Sequence, residues 1–525
     1  MKDEKHRVYK SIDFSHHLSD LAKRRVASPI KSLQKYSKPG NIEFGGDAFP
    51  IEIDSSSTPP SPLGWLWRLF GSSQQNTTKL TVAKTPAPTD LGLNLAVALQ
   101  YGPATGLKPL QDFLQEFSAR VYNPAFSDFT TLAHTGNTDG WGRVLSTLMN
   151  VGDNLLTDEW AYPTALVAAR PFGLGVVPVG MDAEGMRPDK LRLTLDRWDE
   201  KKDGKKPRLL YTVPVGQNPS GSTAGLQRKS DIYDICVEHD IIICEDDPYY
   251  FLQIGQYVPK SSRDVFALDA EDNAQYLANL SPSYLSIDIQ GRVIRMDTFS
   301  KTVAPGVRLG WFTCNPMFAE RFERIGEVSS QSPCGVGQAM VTKLLLTWKF
   351  DGYVRWLRGI RFQYKLRRDL FLDIISEEFD LSTSTGSSSM GAWAGCTVYT
   401  AYTKSKAITC RSSLTGNDEK TPERKRMLSF VAPSSGMFLW LKLHFESIPK
   451  PSPDDPETTE TKLWSKLAEA GVITAPSWFF ATDLVEPPAD PNVEGHFRMS
   501  FSNANEESMR RGVRIMAKTM RDFWN

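Results

Sequence analysis

An α/β fold is what the sequence predicts, and three observations predict it. From Leu91 onward, strand-like apolar runs alternate with helical patterns, as they do where helices cover a sheet. The runs LLYTVP (209–214), IIICED (241–246) and RVIRMDTF (292–299) are short and apolar. The pattern between the first two, LQRKSDIYDICVEH (226–239), carries Leu226, Ile232, Ile235 and Cys236 on or near one helical face. The residues capable of chemistry sit where these strands end, as expected of an open α/β sheet.

Taken in order, residues 1–40 are polar and basic. Within DFSHHLSDLAKRRVASPIKSLQKY and its flank, Ile12, Leu18, Leu21 and Val26 predict one short helix, and Ile30, Leu33 and Tyr36 a second. His16 and His17 are expected on the exposed side of the first, or near a subunit contact. Residues 55–90, with SSSTPPSP and KTPAPTD, read as an irregular connection around the patch WLWRLF, whose Trp65 and Trp67 are expected to pack on the large domain. KKDGKK (201–206) reads as a solvated loop. STSTGSSSMG and TGNDEKTPERKR make 380–426 a low-complexity surface insertion. PKPSPDDPETTE (449–460) is a loop, and Met509 to Trp524 an amphipathic helix.

Composition narrows the class. The chain has 525 residues, 61 Lys plus Arg against 61 Asp plus Glu, so bulk charge offers nothing to a nucleic acid. Cys236, Cys244, Cys314, Cys334, Cys396 and Cys410 form no C-x-x-C pair, so no metal site is expected from them. No apolar run approaches the roughly 18–20 residues of a membrane span. The N-terminal MKDEKHRVYK is charged with no apolar stretch behind it, so no secretory signal is expected. The expectation is a soluble, cytoplasmic protein without membrane or nucleic-acid partners.

Five local patterns carry chemistry. In DTFSKTVAPGVRLG (297–310), Lys301 follows a strand, and a lysine so placed can form a Schiff base with an aldehyde. Thr298, Ser300 and Arg308 around it could hold a phosphate. In ICEDDPYY (243–250), Asp246 and Tyr249 stand at a strand end; the carboxylate could pair with a protonated ring nitrogen and the phenol with a ring oxygen. PVGQNPSG (214–221) is a turn holding Asn218. In HTGNTDGWGRVL (134–145), Gly136, Asn137 and Thr138 open a helical pattern whose N–H groups can meet an anion. In HFRMSFS (496–502), Arg498 lies in a strand-like alternation and could fork onto a carboxylate. Each of the last four alone is weakly specific.

Together these segments resemble the fold-type I pyridoxal-phosphate aminotransferases of class I and II, in particular fungal aromatic amino-acid aminotransferases and the related kynurenine/2-aminoadipate aminotransferases. The resemblance runs from DFSHHLSDLAKRR through FGGDAFP (44–50) and LQYGPATGLKPL (99–110) to SYLSIDIQGRVIRMDTFSK and PSSGMFLWLKL. It implies a large pyridoxal-phosphate domain over 91–345 with a mostly parallel, seven-stranded-type sheet. It also implies a small C-terminal α/β domain over 346–525, and an N-terminal arm over 1–90 that joins the small domain and covers the substrate.

The resemblance further implies roles. Lys301 would be the Schiff-base lysine and proton shuttle. Asp246 would pair with the pyridine nitrogen, Tyr249 and Asn218 would bind the ring oxygen, and Tyr162 would stack on the ring. Asn137, Thr138, Thr298, Ser300 and Arg308 would hold the phosphate, joined by Tyr101 from a partner subunit in a homodimer. Arg498 would bind the substrate carboxylate, with Asn218, Gly45 and Gly46 on the substrate side. The implied activity is amino transfer between an aromatic L-amino acid and a 2-oxo acid. Kynurenine or 2-aminoadipate as donor, a pyridoxal-phosphate lyase or decarboxylase, and an aminotransferase-like regulator are the alternatives. The regulator is disfavoured because only about 40 residues precede FGGD, too few for a DNA-binding module.

Overall fold

The structure is a computed structural model and describes residues 9–25, 80–85, 93–263, 271–387, 393–403, 424–452, 454–482 and 490–525. Its larger sheet is built from β1 (Thr130–His134), β2 (Asn154–Asp158), β3 (Gly175–Val179), β6 (Leu209–Thr212), β7 (Ile242–Asp246), β8 (Val293–Thr298) and β9 (Gly310–Cys314). A two-stranded ribbon of β4 (Met181–Asp182) and β5 (Gly185–Met186) stands apart. The order is β1-β9-β8-β7-β6-β2-β3, and only β9 runs antiparallel to its neighbours.

The apolar runs are continuous because both faces of this sheet are covered. Leu155, Leu209, Ile242 and Ile294 point into one core with Trp141, Val144, Phe318 and Phe322 from helices Asn137–Leu148 and Pro316–Val328. Their neighbours Leu156, Leu210, Ile243 and Val293 point into the other, with Leu114, Phe117, Ile232 and Ile235 from helices Lys108–Tyr122 and Leu226–Glu238.

A second, antiparallel sheet orders β10 (Asp380–Thr385), β11 (Thr397–Tyr402), β12 (Arg426–Val431), β13 (Phe438–His444), β15 (Glu494–Ser500) and β14 (Ala475–Pro476) as β10-β11-β12-β13-β15-β14. The helix Glu506–Trp524 closes over it, burying Met509, Val513, Met516, Ala517, Met520 and Trp524 along one face. Helix Gly335–Glu378, broken at Lys349 (φ 54°), runs across residue 345.

Three expectations are changed. Inside 380–426, expected to be an insertion, β10 and β11 pair with each other and β11 pairs with β12, so part of that stretch is sheet edge. The Ser/Thr-rich run of β10 is exposed on both faces, so it lacks the apolar alternation that marks a strand. Residues 9–25 pack on the large-sheet side: Phe14 stacks on Phe318 with ring centroids 5.9 Å apart, and Ser19 N donates to Thr147 O at 2.7 Å. His17 is buried, 2% exposed, beside Phe14, whereas His16 is exposed. The second expected N-terminal helix, Trp65, Trp67, Gly45 and Gly46 lie outside the described residues.

Asp158, at the end of β2, is 2% exposed, and burial lifts its carboxyl to about 7 against weak hydrogen bonds from Thr212 and Val213. Its folded value lies above the unfolded 3.8, so the native state binds the extra proton between those limits. Stability from this group is therefore complete below about pH 4 and is lost as pH rises through about 7. Asp158→Asn should gain on the parent protein by up to about 4 kcal/mol at pH 8 and by nothing at pH 3.5. Urea unfolding at both pH values checks this; an equal effect at both would refute it.

Candidate active site

The C-terminal ends of β1, β7 and β8 deliver the site, with Phe438 of β13 and Arg498 and Ser500 of β15 reaching in from the second sheet. Asp246 ends β7, Thr298 ends β8 with Ser300 and Lys301 in the turn beyond, and Gly136 caps the helix that follows β1. A cavity of about 430 Å³ lies between them. Asn137, Thr138, Tyr162, Asn218, Asp246 and Tyr249 line it. So do Thr298, Ser300, Lys301, Arg308 and Arg498. Eleven residues drawn from positions 137 to 498 thus meet in one space.

At the floor, Asp246 accepts from Tyr211 Oη at 2.7 Å and from Asn137 Nδ2 at 2.6 Å. Burial raises its carboxyl above the usual range, and these two hydrogen bonds pull the other way. A cationic N–H at this carboxylate would offset the burial cost. Burial likewise raises the Tyr249 phenol. Lys301 is held below the usual lysine value, first by burial and then by the guanidiniums of Arg498 and Arg308. Burial and these two cations thus disfavour the charged form of this amine.

One end is an anion cradle. Thr298 Oγ1 donates to Ser300 Oγ at 2.9 Å, and Arg308 Nη1 donates to Ser300 Oγ at 3.3 Å. Arg308 Nη2 reaches Thr135 O at 3.2 Å, directly over Gly136. Gly136 has φ +95°, and a Cβ there would stand 2.3 Å from Arg308 Nη2, so only glycine leaves the guanidinium its place. The N–H groups of Asn137 and Thr138, the first two of this helix, have no intrahelical acceptors, and both residues line the cavity.

At the other end, Arg498 Nη1 donates to Asn218 Oδ1 at 2.7 Å. Its guanidinium lies 4.3 Å from the Phe438 ring centroid and 5.0 Å from that of Phe480, and Nε has no hydrogen-bond partner among the described residues. A partly buried, half-satisfied guanidinium clamped between aromatic faces suits a carboxylate. The segment after β6 and the segment before β13 also approach closely here: a Cβ on Gly216 would stand 2.7 Å from Gly436 Cα.

One sequence expectation needs adjustment. The Asn137 amide is turned to Asp246 and Met296 O (3.2 Å), so only its backbone N–H is left for an anion. Tyr101 is 60% exposed and lies outside the cavity lining of its own chain. Sequence reading missed Tyr211, Trp141, Met437, Phe438 and Phe480. Tyr211 had a signal: a phenol inside the apolar run LLYTVP must find a partner when buried. Met437, Phe438 and Phe480 are apolar residues in apolar runs and carry none, and Trp141 stands alone between glycines at a helical pattern's start.

Comparisons with known proteins agree with this geometry. The family model for aminotransferase class I and II matches residues 96–414. An aromatic amino acid aminotransferase of Schizosaccharomyces pombe is 33% identical, the match covering 97% of this chain and 98% of that protein. An L-tyrosine:2-oxoglutarate aminotransferase of Serpula lacrymans is 33% identical over 91% of this chain and 86% of its own. The crystal structure of aminotransferase Aro8 from Candida albicans superposes with a TM-score of 0.78 at 30% identity, covering 98% of this chain and 99% of that one. No helix among the described residues is long and apolar enough to cross a membrane. With a matched region spanning more than half its length and full-length relatives above 30% identity, the chain belongs to the class I and II aminotransferases.

Proposed function

We propose that the protein transfers the amino group between an aromatic L-amino acid and a 2-oxo acid, with pyridoxal 5′-phosphate as cofactor. The observation that carries the reading is the convergence of Lys301, Asp246, the Arg308 cradle and Arg498 on one cavity. The residues fit the cofactor: a lifted, buried carboxylate awaits a cation, and a glycine-shaped cradle awaits a phosphate. Asp246 would face the pyridine nitrogen, Tyr249 and Asn218 the ring oxygen, and Tyr162 the ring face. Thr298, Ser300, Arg308 and the N–H groups at Asn137 and Thr138 would hold the phosphate. When bound, the cofactor supplies the electron sink that lets the substrate Cα–H bond break.

The chain's own residues do the rest. Arg498 binds the α-carboxylate and so sets which Cα bond stands perpendicular to the ring. Lys301, whose charged form is disfavoured in its site, takes the Cα proton and returns one to the product. Asp246 keeps a negative charge against the ring nitrogen and so favours its protonated form. Tyr162, Met437 and Phe438 give the cavity an apolar wall suited to an aryl side chain. The names of the Schizosaccharomyces and Serpula relatives favour the same substrates. A homodimer completes the reading: Tyr101, exposed here, would be covered by a second copy and serve that copy's phosphate site.

Absorbance spectra test it. The cofactor's visible band should disappear on adding L-phenylalanine, L-tyrosine or L-tryptophan and return with 2-oxoglutarate. A faster response to L-kynurenine or L-2-aminoadipate would move the assignment to those donors, and no response to any donor would sink transamination. Arg498→Lys should raise KM for amino and oxo acids alike by about 10–100-fold, because a point charge replaces a two-pronged fork, while kcat changes much less. Steady-state kinetics with both substrate classes checks this.

A further inference from the structure

At the opposite end of β7 from Asp246, a second group of chemistry-bearing side chains meets. His16 Nε2 lies 2.7 Å from Asp240 Oδ2, and His17 Nε2 lies 3.1 Å from the same oxygen. The two imidazole centroids are 4.4 Å apart, and the three donor atoms lie within 4.8 Å of one another. The histidines stand more than 220 positions from Asp240 in sequence, so only folding brings them together. We propose that His16, His17 and Asp240 form a site for one zinc-class divalent metal ion, completed by water, that clamps the N-terminal segment to the turn before β7.

The donor set is one that Zn²⁺ takes: two imidazole nitrogens, one carboxylate oxygen, and a fourth position open to water. Donors at ordinary zinc distances in a tetrahedron stand about 3.3 Å apart. The observed 2.7 and 3.1 Å need only a small opening. His17 supplies the independent sign. It is 2% exposed, and its Nε2 has no hydrogen-bond partner among the described residues, although the carboxylate oxygen is near. A buried ring nitrogen left unsatisfied is costly, and a cation between it and the carboxylate removes that cost.

The surroundings set which ion is taken. Arg292 Nη1 stands 3.8 Å from Asp240 Oδ1, and Arg208 Nη1 donates to His16 O at 3.2 Å. These guanidiniums oppose any cation, and Arg292 leaves Oδ2 as the free carboxylate oxygen. A hard ion held by charge alone gains little here, whereas imidazole donors favour zinc over calcium or magnesium. Asp240 has φ 51°, a conformation asparagine tolerates as aspartate does, so Asp240→Asn tests the ligand without straining the turn.

The experiment uses the full-length protein, stripped with a chelator, dialysed, and titrated with zinc sulfate at pH 7.5 by calorimetry and thermal melting. The expected result is one zinc per chain, a raised Tm, and nitrogen and oxygen neighbours only in the X-ray absorption spectrum. His16→Ala and Asp240→Asn should each weaken binding by more than the roughly tenfold that loss of a supporting partner costs, and remove the Tm rise. Cys334→Ser, which removes an exposed thiol, should change neither. His17 is left in place because it is packed beside Phe14. Absence of saturable zinc binding, sulfur in the metal's first shell, or equal binding by the His16→Ala/Asp240→Asn double variant would overturn the proposal.

Discussion

Lys301→Ala removes turnover, with kcat down by at least about 10⁴-fold, and leaves the protein folded. The magnitude follows from two roles on one nitrogen. In the proposed reaction the amine would be both the nucleophile that meets the cofactor's aldehyde and the base that moves the Cα proton. No other side chain of the cavity lining replaces it: Tyr249 is pushed away from ionisation by burial, and Asp246 is engaged by Tyr211 and Asn137. The fold should tolerate the change because the charged form of this lysine is disfavoured where it sits. Single-turnover absorbance with L-phenylalanine is the readout, with circular dichroism as the control for folding. Turnover within a hundredfold of the parent protein would remove Lys301 from the chemistry.

Arg295→Met should cost about 3–5 kcal/mol of stability, the largest loss expected from any one side chain here. Arg295 is fully buried in β8. Its guanidinium meets Asp247 at 3.0 Å, Glu245 at 3.2 Å and Asp297 at 2.9 Å, between the rings of Tyr122 and Tyr250. Tyr122 Oη donates to Asp297 at 2.8 Å as well. Methionine fills the volume but leaves three carboxylates buried without their cation. They must then take up protons or stay charged in a medium that solvates them poorly. The same guanidinium also lowers the neighbouring Asp246, so the variant should raise that carboxyl and reduce activity in whatever fraction remains folded. Urea midpoints measure the first effect. A loss under about 1 kcal/mol would show that the cluster neutralises itself at little cost.

Much of this was legible in one dimension because it obeys local rules. The strands at 209–212, 242–246 and 293–298 announce themselves as apolar runs, since a sheet covered on both faces has no polar side to show. The helix at 226–238 is marked by its apolar face. Lys301, Ser300 and Arg308 are read together because one turn after β8 carries all three. β10 was not legible, because an exposed edge strand of Ser and Thr has the composition of a loop. Nor was the burial of His17: a polar residue in a polar segment is buried only because Phe14 is drawn to Phe318, some 300 positions away.

The sequence by itself determined the kinds of group at the site and the strand ends that carry them, since residue type and local periodicity are properties of short stretches. Tertiary structure alone decided which groups touch. The helix start at Asn137 offers backbone N–H groups to an anion, whereas its side chain serves Asp246, because β1 and β7 lie in the same sheet and parallel in direction. Arg498 reaches Asn218 across 280 residues, beside the place where Gly216 and Gly436 let the segments after β6 and before β13 come within backbone contact. Hydrogen bonds, burial and the resulting shifts of Lys301 and Asp246 depend on distances of a few ångströms between remote segments. Only packing of the whole chain sets those distances.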